Sequence, residues 1–209
     1  EVATRMAYFV WGSGPDDALL DAAEAGKLSD STERIAQATR MLVDARAKRQ
    51  WHKFHAQWVG YDGISLPATL GPDLLQESNA LYDRVVFEND KDWMELFSTK
   101  ETFVTPELAQ NYGMNGVTQT GWVPYAGERG GGVLSHGLFM QLGEKFGDTS
   151  PTLRGYEIYK RLFCGKLGAI PPDVDVDNRP GNPGDCKTQA YTMRNDVNCA
   201  YCHSITDNI

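Results

Sequence analysis

Cysteine and histidine are both scarce in this chain, at four residues each among 209. That scarcity excludes a disulfide-dense scaffold, in which many bridges staple a small fold. It also makes any place where the two residue types meet informative. Basic residues are in deficit: 20 Lys and Arg stand against 28 Asp and Glu, a net charge of −8. A phosphate backbone needs a basic face, so nonspecific nucleic-acid binding is excluded. No apolar run reaches the length that crosses a bilayer. Gly-x-Ser-x-Gly is absent, so Ser135 is not a nucleophile elbow. The glycines from Gly127 to Gly132 hold no Walker-type loop. Asp173, Asp175 and Asp177 alternate without the glycine and closing glutamate of an EF-hand, and read as a solvated acidic loop. There is no internal repeat. The chain opens at Glu1 without an initiator Met or a signal peptide, which points to a processed product or a piece of something longer. What remains is ordinary for a soluble globular protein: 41% hydrophobic and 23% charged, with length for one large domain or two small ones.

The scarce residues meet near the end, at Cys199-Ala200-Tyr201-Cys202-His203. This reads as a c-type haem attachment site. Two thiols three positions apart can add to the two vinyl groups of one haem, and the histidine that follows can supply an axial iron ligand. Two other readings stay open. Cys164, Cys186, Cys199 and Cys202 make an even count, so two disulfides are possible. Zinc accepts four thiolates, or three with a histidine, although Cys164 and Cys186 have 21 residues between them rather than forming a short pair.

Periodicity predicts an all-α body of about nine helices. Val2, Met6, Phe9 and Val10 outline the first, and Pro15 with Asp16 and Asp17 opens the second. Asp30 and Glu33 have capping-box spacing before a stripe of Ile35, Ala38, Leu42 and Ala45. Ala47, Trp51, Phe54 and Trp58 form the next stripe, ending at Gly60, and residues 72–88 carry the clearest helical pattern. A short helix is expected around Trp93 to Phe97. Thr105-Pro106 starts another. The stretch from Met114 to Gly132 reads as loop with room for a short strand or two, before helices over 133–142 and 151–164. Beyond lies an irregular tail: four prolines, four glycines and four aspartates fall within residues 165–185. The expected division is a helical domain over 1–164 and a linker with the cysteine motif over 165–209.

Several groups of residues are familiar together. They run from Tyr8-Phe9-Val10-Trp11 with Pro15-Asp16-Asp17, through Gln57-Trp58, Phe103-Val104 and Tyr112-Gly113, to Arg129-Gly130-Gly131 with Leu134-Ser135-His136-Gly137. Thr149-Ser150-Pro151 with Arg154-Gly155, then Pro171-Pro172, then Asn198 to His203 with Asp207, complete the order. Together they resemble two adjoining helical segments of unknown function in large cytochrome c-like proteins best known from planctomycetes and myxobacteria. The resemblance spans essentially the whole chain. It implies a multidomain extracytoplasmic protein carrying c-type haem, with no reaction attached to this part.

The expected cofactor is therefore covalent haem c on Cys199 and Cys202 with His203 axial, zinc being the alternative. No Met or His follows His203, so a sixth ligand is expected from upstream, from another chain or not at all. His136, beside a glycine turn, is the foremost upstream candidate, although a polar histidine at a helix start is the plainer reading. Met193 lies too near the motif, while Met6, Met41, Met94 and Met114 read as core filler. Arg154 stands near a helix start against the dipole preference, which fits a haem propionate or a buried carboxylate as partner, or simply a surface. His52 and His55 have metal-like spacing, but within a Trp/Phe-rich helix they read as core-edge packing, with His52 outward. The expected role is electron transfer with a redox partner or other chains of a complex, in a periplasmic or extracellular compartment. An open-iron protein binding gas or peroxide, and a structural subunit with disulfides or zinc, are the alternatives.

Overall fold

The computed structural model describes residues 1–88, 91–125, 130–145, 148–170, 172, 174, 197 and 199–207. The chain is mostly helical and folds as two units, one of Glu1–Asp62 with Tyr82–Trp93, the other of Gly63–Leu81 with Met94–Ile209. No described helix is long and apolar enough to cross a membrane.

The first unit holds α1 (Val2–Trp11), α2 (Asp17–Glu24), α3 (Ser31–Leu42) and α4 (Ala45–Val59). Three aspartates start three of them: Asp16 accepts from the Leu19 N–H, Asp30 from Thr32 and Asp44 from Arg46. Each satisfies a donor that the first helical turn cannot pair, and each places a negative charge at the positive end of the dipole. Gly12 and Gly60, at φ 65° and 100°, close α1 and α4 in the left-handed region that glycine enters without strain. Ala3, Ala7, Trp11, Leu19, Ala22, Leu28, Met41 and Ala47 form the core. The small alanines of α1 allow close helix approach. Trp11 fills the volume beyond them and donates its indole N–H to the Met41 carbonyl at 2.9 Å.

This core corrects three expected stripes. On α1 the buried face is Ala3, Ala7 and Trp11, while Phe9 is 84% exposed. On α3 Met41 is buried, while Ile35 and Leu42 face water. On α4 it is Ala47, His55 and Val59, with Phe54 exposed. The largest apolar residues do not define these faces, and α3 is also held by its arginines. Arg34 donates to the Leu28 and Ser29 carbonyls, and Arg40 forks onto Asp16 at 2.7 and 3.0 Å. Met94, expected in the core, is also exposed.

Residues 72–88 do not form one α-helix. α5 spans Gly71–Tyr82, and the backbone then widens into a π-turn over Asp83–Glu88. There Asp83 accepts from Lys48 and pairs with His52 Nε2 at 2.9 Å, so His52 is held against a carboxylate rather than facing outward.

In the second unit α6 (Glu95–Ser98) precedes an antiparallel ribbon of β1 (Glu101–Val104) and β2 (Gly121–Pro124), with Phe103 opposite Trp122. Alternation buries Thr102 and Val104 on one face of β1, and four residues are too few to have signalled a strand in the sequence. α7 (Pro106–Asn111) lies between the strands, capped by the Thr105 hydroxyl with Pro106 at its first position. Then come α8 (Gly137–Gln141), a two-residue ribbon of β3 (Glu144–Lys145) with β4 (Asp148–Thr149), α9 (Pro151–Arg161) and α10 (Ala200–Thr206). Ten α-helices therefore stand among the described residues, with two ribbons that an all-α reading omits. α9 stops before Cys164, which takes a left-handed φ of 53°. The acidic run with Asp173, Asp175 and Asp177, and also Cys186 and Met193, lies outside the described residues.

Candidate functional site

The cysteine motif opens α10. Cys199 is the residue before the helix, and Cys202 and His203 follow within the first turn. Both thiols are half-buried and unpaired, and Cys164 is exposed and unpaired. Beneath them α10 is fixed to α9. The Thr206 carbonyl occupies the space that a Cβ on Gly155 would need, so only glycine permits this helix contact. Gly155 and Thr206 are both buried.

The same contact orders His203. Its Nδ1 lies 2.8 Å from Asp207 Oδ2, one helical turn on. The other carboxylate oxygen accepts from the Thr152 hydroxyl at 2.7 Å and from Thr206 at 3.1 Å. The His203 and Asp207 side chains are 17% and 6% exposed, so this is an enclosed pair rather than a solvated surface bridge. A carboxylate only accepts hydrogen bonds, so Nδ1 is the donor in this contact, and in the neutral ring Nε2 is then the nitrogen that carries the lone pair. That is the tautomer a metal-ligating imidazole needs. Two thiols with an imidazole directly after the second are the donor set that a c-type haem requires, and the residues fit the group on those grounds.

His136 sits elsewhere in the same unit. It precedes α8, is 1% exposed, and its Nδ1 lies 3.0 Å from the Ser78 hydroxyl on α5. Beside it on α5, the Glu77 carboxyl is fully buried and accepts from Thr102 at 2.5 Å and Tyr112 at 2.6 Å. The Tyr112 oxygen in turn accepts the Gly137 N–H at 2.7 Å. This hydroxyl network ties α5, β1, α7 and α8 together and gives His136 a structural setting. Arg154 is half-buried: its stem runs over Gly143 and its guanidinium reaches the Met140 sulfur at 2.9 Å. Among the described residues no carboxylate pairs with it.

His55, in the first unit, is fully buried rather than at the core edge. Its ring stacks on Tyr82 at 4.0 Å, with Trp51 and Phe54 set edge-on, and Nδ1 donates to the Trp51 carbonyl at 3.0 Å. Burial pushes its pKa down to about 4, against the smaller upward pull of that carbonyl. It is neutral and packed at neutral pH. Among the described residues no three His, Cys, Asp or Glu side chains form a metal-holding group.

Residues 1–114 match the family model PSD4, described as Protein of unknown function (DUF1592). The chain belongs to that family. Residues 129–209, which hold α8, α9, α10 and the cysteine motif, match PSCyt3, described as Protein of unknown function (DUF1588). No curated protein and no solved structure matches the chain. The two family segments agree with the expected resemblance. Sequence reading picked out Cys199, Cys202 and His203 but assigned no task to Thr152, Asp207 or Gly155. The one available signal was the i, i+4 spacing of His203 and Asp207.

Proposed function

We propose that this chain is a c-type cytochrome module of an extracytoplasmic protein. Haem would be bound through thioethers at Cys199 and Cys202, with His203 Nε2 on the iron. When bound, the haem supplies a one-electron couple, and the protein supplies attachment, ligand orientation and the surrounding field. The observation that carries this reading is the directed imidazole: His203 follows two free thiols within a helical turn, and its Nδ1 is already engaged by Asp207. The name of the family model over this segment, PSCyt3, points the same way. Electrons would pass to or from a partner chain, and the net charge of −8 favours a basic partner through long-range steering. Thioether attachment at such a motif belongs outside the cytoplasm, which is why the compartment is put there. His136 and Arg154 are left out of this site, since their described partners are Ser78 and Met140.

The test is the mass of the denatured, intact chain, together with visible spectra of the oxidised and reduced protein. Haem that survives denaturation, with reduced alpha and beta bands, is the expected result. A broad unsplit reduced band would give the haem an open iron position and direct attention to small-molecule binding. A colourless chain that has lost hydrogens to disulfides, or that releases zinc, would overturn the proposal.

A further inference from the structure

The enclosed carboxylate beside His203 has a chemical consequence that resting on the haem reading makes specific. We infer that Asp207, aimed by Thr152, is a positioning residue that gives His203 anionic character and thereby sets a low reduction potential for the haem. An imidazole whose Nδ1–H is shared with a carboxylate is a stronger electron donor through Nε2 than one bonded to a neutral carbonyl. Stronger donation favours the ferric over the ferrous iron, so the potential falls.

Three features separate this arrangement from an incidental helix pair. Asp207 is 6% exposed, so water does not screen its charge as it does at a surface. Its second oxygen is occupied by Thr152 and Thr206, which fixes the rotation of the carboxylate and leaves Oδ2 for His203. Thr152 belongs to α9, which Gly155 lets approach α10 at the backbone, so the carboxylate is aimed by tertiary packing and not by its own helix alone. A rearrangement of α9 would therefore be read at the iron as a change in potential.

The experiment uses the full chain matured with haem, as wild type, Asp207→Asn, Asp207→Glu and Thr152→Val. Asparagine keeps the shape and an acceptor but removes the charge. The expected results are a raised potential and a lowered Fe–His stretching frequency in Asp207→Asn, recovery toward wild type in Asp207→Glu, and a smaller shift of the same sign in Thr152→Val. In the haem-free chain, nitrogen NMR is expected to find His203 as the Nδ1–H tautomer in wild type, with Nε2–H appearing in Asp207→Asn. Haem attached with potential and stretching frequency unchanged in Asp207→Asn would overturn this inference and leave the cytochrome reading standing. Absence of haem from the intact wild-type chain would overturn both, and the two failures are told apart by the mass.

Discussion

In the first unit a buried histidine is enclosed by rings, with His55 stacked 4.0 Å from Tyr82 and bonded to the carbonyl of its own helix. In the second, His136 and Glu77 are buried just as deeply but among hydroxyls, from Ser78, Thr102 and Tyr112. The difference teaches how each unit handles polarity that water cannot reach. The first suppresses charge, since desolvation keeps His55 neutral. The second answers His136 Nδ1 and both Glu77 oxygens with hydroxyls from other elements, so its network doubles as a set of tertiary links. A histidine is compatible with both, which is why its presence in a sequence says so little. His203 is a third case, its Nδ1 held by a carboxylate one helical turn on and two thiols preceding it.

The largest effect expected from breaking this contrast lies in the hydroxyl network. Glu77→Leu leaves the Thr102 and Tyr112 hydroxyls buried without their acceptor, and should cost about 4 kcal/mol in urea unfolding. A near-neutral result would mean that the network is not what joins α5 to β1 and α7.

His55 sharpens the comparison through pH. Its folded pKa, about 4, lies below the usual 6.5, so the unfolded chain takes up the proton first as pH falls. Stability should therefore decline from pH 6.5 toward 4 by about 3 kcal/mol, and be unaffected by this group above that window. His55→Phe should remove this slope. A slope that survives the substitution would assign it to other groups.

Gly155→Ala tests the contact beneath the cysteine motif. A Cβ there meets the Thr206 backbone carbonyl, so α10 should undock from α9 at a cost of about 2 kcal/mol. Limited proteolysis after α9 should become faster while the first unit keeps its protection.

The smallest effect belongs to the surface of the first unit. The Arg46 guanidinium, which also lies 3.5 Å from the Trp11 ring centroid, holds the Asp44 carboxyl down to about 2 from 3.8. That stabilisation is present above pH 3.8 and is lost as pH falls through 2. Asp44→Asn should lower the urea midpoint slightly at pH 6, measured as unfolding midpoints, and flatten the acid limb between 3.8 and 2. A midpoint shift larger than that of Gly155→Ala would reverse the ordering.

Helix boundaries were legible because they are written in short-range chemistry: Thr105-Pro106 opened α7 where its cap and fixed φ predict, and Gly60 closed α4. Buried faces were less legible. Phe9, Ile35 and Phe54 carry the hydrophobicity that periodicity weighs, yet alanines with Trp11, Met41 and His55 occupy the interior, because close helix approach rewards small residues. The π-turn after Tyr82 and the strand at Glu101–Val104 left no usable signal, one being a backbone widening and the other too short for its alternation to count.

By itself the sequence determined the helical character, the caps, the acidic surface and the one place where two thiols precede a histidine. All of these depend on residues within a turn or two of each other. Tertiary structure alone decided which histidine is packed, which is bonded and which is directed. Those outcomes depend on Tyr82 reaching His55, Ser78 reaching His136, and Thr152 reaching Asp207 across 27, 58 and 55 positions. Side-chain chemistry names the candidates, but only packing fixes the dielectric and the hydrogen-bond partner that choose among them.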